Sequence, residues 1–116
     1  MFFNKRKKWN SQVASLMPTF GLDIQQMGVM SALESLDLVY PKGFSPQEAA
    51  LYLAYVTYNS LLSKGALDAA AVVGKRIPDA ENEWVKLHLV NPRNPKAWRE
   101  KARLLEEQAG ATARLP

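Results

Sequence analysis

The stretch SPQEAALYLAYVTYNSLLSKG, Ser45 to Gly65, decides the fold class. Ser45 stands where a helix N-cap is wanted, Pro46 at the first helical position and Glu48 at the third. The Ser oxygen accepts from an orphan amide, the Glu side chain reaches back, and Pro has no N–H to leave unpaired. Gly65 supplies the stop. The interior between these signals is apolar nearly all the way round. Such a helix belongs at the centre of a bundle or between two subunits.

Working outward, helical spacing dominates on both sides and no period of two competes with it. Upstream, Trp9, Val13, Leu16 and Met17 make one face of a first helix, with regular structure expected to begin near Trp9 or Asn10 and to break at Pro18 and Gly21. An Asp23–Gln26 capping box opens a second helix, with Leu22, Val29, Met30, Leu33 and Leu36 inward and Glu34 and Asp37 in water. Downstream, a short Ala-rich helix packs on the third as a tight hairpin and ends at Ile77-Pro78. A fifth starts at Asp79 with Trp84 and Leu87 inward. A sixth starts at Asn94-Pro95, carries Trp98, Ala102, Leu105 and Ala109 on one face, and closes at Gly110. Gly28 and Gly74, inside helical patterns, mark close helix crossings. The expected architecture is all-α: a compact bundle of five or six helices with short connections. One domain spans 9–110, between a flexible basic arm at 1–8 and a frayed tail at 111–116.

Composition narrows the chemistry. The 116 residues include no cysteine, which removes disulfides, thiolate metal sites and cysteine nucleophiles and fits a reducing compartment. The net charge of +4 equals the charge of Lys5, Arg6, Lys7 and Lys8, and the other eleven Lys and Arg balance eleven Asp and Glu. The basicity is local, whereas a nucleic-acid-binding body needs a basic face. The longest apolar run, Ala49 to Val56, is far short of the roughly 20 residues a spanning helix needs. A soluble, cytoplasmic protein is expected.

Residues 79–110 resemble a tetratricopeptide-type helix pair. Ala80, Trp84, Leu87 and Pro92 match the small, aromatic, small and proline positions of a repeat's second helix, Leu87 being larger than usual there. Trp98, Ala102 and Leu105 match the opening of the next repeat. The resemblance implies peptide or protein binding.

No catalytic constellation emerges. His88 is the sole histidine and lacks ligand partners at metal-binding spacing. Glu81 and Glu83 point to different sides of a helix, and Glu106 and Glu107 read as a solvated face beside Arg103. The glycines are scattered singly, so no phosphate-cradling loop exists. No catalytic residue, metal site or cofactor is expected, and the protein reads as a small non-catalytic interaction or regulatory module. Tyr52, Tyr55 and Tyr58 form the candidate self-association or partner face, in a homodimer built on the 45–63 helix. Phe2, Phe3, Lys5, Arg6, Lys7, Lys8 and Trp9 form a candidate arm for an anionic partner, either nucleic acid or a membrane surface. A third reading is a small-ligand or enzyme pocket near Tyr52, Tyr55 and Trp84.

Overall fold

The capped helix occupies the position its composition demands. The structure, a computed structural model, describes residues 2–23, 28–90 and 95–112. Among them are five α-helices: α1 (Phe2–Leu16), α2 (Val29–Val39), α3 (Pro46–Ser63), α4 (Leu67–Val90) and α5 (Pro95–Thr112), with short 3-10 turns at Met17–Phe20 and Tyr40–Lys42. The capping box is formed, with Glu48 N donating to Ser45 Oγ at 3.2 Å and Ser45 N donating to Glu48 Oε1 at 2.8 Å. Gly65, at φ +76°, ends α3. Its N–H bonds the Leu62 carbonyl while Ala66 N reaches the Leu61 carbonyl, the paired pattern that closes helices through a left-handed glycine.

All four other helices pack on α3, and every residue from Glu48 to Tyr55 is buried. Its all-round apolar surface is therefore covered by its own chain rather than by a second subunit. The radius of gyration, 13.9 Å, is close to the roughly 13 Å of one compact domain of this size.

Three expectations change. First, α4 runs unbroken through Pro78. Ala70, Val73, Ile77 and Trp84 keep helical spacing across the proline and are all buried. Pro78 faces solvent, so its cost, about 3 kcal/mol in a helix interior, is set against one continuous buried face. The break expected at Ile77-Pro78 and the new start at Asp79 do not occur. Second, α2 buries Ala32, Leu36 and Val39 and exposes Met30, Leu33 and Leu38. The apolar positions on α2 do not fall on one face, and packing against α3 selected the smaller set. The Asp23–Gln26 box and the Asn94 cap reach outside the described residues, and α2 starts behind Gly28 at φ +89°, which is therefore no crossing point. Third, regular structure begins at Phe2 rather than near Trp9, and α5 continues past Gly110 to Thr112. Residues 113–116 lie outside the described residues.

The hairpin of α3 and α4 is as close as the small residues of α4 suggested. A Cβ built on Gly74 lies 2.8 Å from Tyr58 Cε2, and Tyr58 is buried, so its ring has nowhere to swing. Alanine in a helix ordinarily gains about 1 kcal/mol over glycine. Here overpacking reverses the sign, and Gly74→Ala is expected to lose about 1–3 kcal/mol, read from the urea midpoint. A stabilised variant would mean that the two helices can spread.

Candidate functional site

The first turn of α3 does more than cap it. Glu48 is 5% exposed, and its carboxylate gathers donors from three parts of the chain. Oε1 accepts from Ser45 N and from Lys101 Nζ of α5 at 2.9 Å, and Oε2 accepts from Trp84 Nε1 of α4 at 2.8 Å. Trp84 in turn stacks on Trp98 of α5, centroids 6.0 Å apart, and Lys101 Nζ lies 5.8 Å from the Phe44 ring centroid. Burial pushes the Glu48 carboxyl up, but the Ser45 amide, the Trp84 indole and Lys101 together outweigh it and hold it below the usual 4.5. A carboxylate held ionised and enclosed by donors suits a clamp between helices rather than a proton shuttle, which needs a value near the working pH.

Beside this node lies a groove of about 380 Å³ between the end of α1, the start of α3 and the second half of α4. Its apolar walls are Leu16, Phe20, Leu51, Trp84 and Leu87, with Gln47 and Glu83 at the polar edge. Leu87 is 66% exposed, contrary to the inward position its spacing suggested. Among the described residues the lining includes two carboxylates, Glu48 and Glu83, and no cation. Arg76 pins one wall from outside by donating to the Thr19 carbonyl at 3.0 Å.

The residues singled out from sequence fall in different places. Tyr52, Tyr55 and Tyr58 are 4%, 1% and 6% exposed, so their rings fill the core and present no face to a partner. Packing four helices around α3 consumes the strip. The Tyr52 hydroxyl accepts from Gln108 Nε2 at 3.4 Å. Burial raises its pKa, Gln108 lowers it, and the nearby Glu107 adds to the rise. Nor do Tyr52, Tyr55 and Trp84 gather into one pocket. Tyr55 and Trp84 share a smaller cavity of about 220 Å³ with Trp98 and Leu105, while Trp84 alone of the three reaches the main groove.

The expected arm divides in two. Trp9 is buried, donates from Nε1 to the Phe44 carbonyl at 2.9 Å, and meets Tyr40 edge-on with centroids 4.9 Å apart. Arg6 joins the body as well, with Nη2 2.7 Å from Asp37 Oδ1, Nε donating to Asn10 and its guanidinium carbon 4.5 Å from the Tyr40 ring centroid. Lys5, Lys7 and Lys8 are exposed on the same helix. The side chains of Phe2, Phe3 and His88 lie outside the described residues.

Sequence reasoning missed the clamp. It saw Glu48 only as a cap, because Trp84 and Lys101 stand 36 and 53 positions away. A signal was available: a helix as apolar as α3 has one carboxylate in its buried run, and Lys101 shares a helix face with Trp98 and Leu105. Among the described residues, no helix is long and apolar enough to cross a membrane, and no three His, Asp or Glu side chains cluster as a metal site. Comparison with protein-family models, with curated proteins and with solved structures finds no match for this chain.

Proposed function

We propose that the protein is a small, intracellular, non-catalytic docking module that seats an apolar anchor of a cationic polypeptide segment in the groove between α1, α3 and α4. The groove carries this reading: an apolar trough of about 380 Å³ is within the range of pockets that bury a ligand, and Leu87 leaves its apolar side chain in water at the rim. Charge selects the partner. Glu48 is already paired with Lys101, so the exposed Glu83 at the rim supplies the charge: a cationic segment is attracted there and an acidic one repelled. The clamp of Glu48, Trp84 and Lys101 keeps the walls fixed before anything binds, which lowers the ordering cost of association. The partial resemblance of residues 79–110 to a tetratricopeptide-type pair implies peptide binding too, and two of the residues that carry it, Trp84 and Leu87, are wall residues.

The test is a peptide-display selection run in parallel on the wild-type protein and on Leu87→Lys. Leu87 is exposed, so the variant should fold. Selected peptides should combine an aromatic or aliphatic anchor with Lys or Arg, and should bind Leu87→Lys at least about tenfold more weakly, because the new cation replaces apolar wall and repels the peptide's own cations. Peptides that bind both proteins equally, or that share no cationic character, would sink the reading.

A further inference from the structure

We infer that the occupant of this groove is the start of α1 from a second copy of the chain, docked reciprocally in a two-fold dimer. The inference rests on the docking reading above and names its partner. The first support is chemical. Phe2 and Phe3, followed by Lys5, Arg6, Lys7 and Lys8, are two apolar anchors and then a run of cations. That is the combination an apolar, anion-edged groove selects.

The second support is electrostatic. Four cations lie within the first two turns of α1, Lys5 in the first turn where the positive end of the helix dipole stands. Arg6 is compensated by Asp37. Among the described residues Lys5, Lys7 and Lys8 show no carboxylate partner and face solvent, and α1 itself contains no Asp or Glu. Among the described residues, a single copy thus holds three unpaired lysines at its helix start and an exposed Glu83 with no ion pair at the groove edge. Bringing Glu83 of one copy to the lysines of another offsets both.

The third support is geometric. Leu16, at the far end of the same helix, lines the groove. Fourteen residues of helix separate it from Phe2, a rise of roughly 21 Å, so a chain cannot place its α1 start in its own groove. Two copies with their α1 helices antiparallel can each reach the other's groove. Each α1 then contributes its start to one contact and its end to the other. That is an isologous contact, which closes at two copies.

The experiment measures mass by size-exclusion chromatography with light scattering at tens of micromolar, at low and high salt. The wild type should be dimeric at low salt and dissociate as salt rises. Glu83→Lys, and separately Lys5→Glu with Lys8→Glu, should each raise the dimer dissociation constant about tenfold or more, since like charges then face each other. Mixing the two variants should recover a dimer, since both of its contacts are then complementary, one with the wild-type charges and one with both charges reversed. All these positions are exposed, and circular dichroism checks that each variant folds. A monomeric wild type, or a dimer indifferent to both reversals, overturns the inference. If display peptides still bind in a Leu87-dependent way while the wild type stays monomeric, the docking reading survives and only the choice of occupant fails.

Discussion

Lys101→Met should cost about 3–5 kcal/mol, the usual loss when one partner of a buried ion pair is removed and the other charge is stranded. Glu48 and Lys101 side chains are 6% and 14% exposed, so water cannot replace the missing ammonium. Methionine keeps most of the stem that packs beside Phe44, which isolates the charge effect from lost packing. The Ser45 amide and the Trp84 indole remain as donors, which places the effect near the lower end of the range. Replacing both partners, Lys101→Met with Glu48→Gln, should recover part of the loss because no net charge is then left inside. If the double variant is less stable than Lys101→Met alone, the node is not a coupled pair.

Acid should reveal the same coupling as a difference in slope between the two proteins. The folded value of Glu48 is lowered below 4.5, so its contribution is complete above that pH and is lost as pH falls through the folded value. Protonating Glu48 would also leave Lys101 as the buried charge. In Lys101→Met burial has one opponent fewer and the carboxyl shifts upward. The variant should therefore lose less stability than the wild type on acidification, when urea midpoints are followed from neutral pH to about pH 3. Equal slopes would mean that Glu48 titrates alike in the two proteins, with no coupling to Lys101.

What could be read in the sequence is what local physics decides. Both ends of α3 were legible because Ser45, Glu48 and Gly65 act on amides and carbonyls within a few positions. Trp9, Val13 and Met17 were legible because one helical face needs no information beyond spacing. Features set by distant packing were hidden. The continuity of α4 through Pro78 depends on a buried face that extends on both sides of the proline, and the local penalty pointed the other way. The inward face of α2 depends on what α3 can accommodate, and Ala32 won over Met30 and Leu33. The clamp and the groove are products of three helices meeting, so Glu48 looked like a cap and Leu87 like core.

Trp9→Ala should cost about 3–5 kcal/mol, as large-to-small changes at buried tryptophans do. In a domain whose whole stability is of the order of 5–15 kcal/mol, that is a large share. The same substitution in a detached arm would be nearly silent, so the measurement decides what the start of the chain is. Trp9 joins α1 to the approach of α3: its indole bonds the Phe44 carbonyl, one residue before the Ser45 cap, and its ring meets Tyr40 and lies under Arg6. Removing it opens a cavity and also orphans the Phe44 carbonyl. Trp9→Phe separates these effects, since it keeps a ring and loses the donor, at about 1 kcal/mol for the unmade bond. Val13 and Met17 still anchor the later turns of α1. Hydrogen exchange in Trp9→Ala should therefore quicken first in the turns ahead of Val13, while α3 amides exchange only on global unfolding. A loss below about 1 kcal/mol would place Trp9 among ordinary surface substitutions.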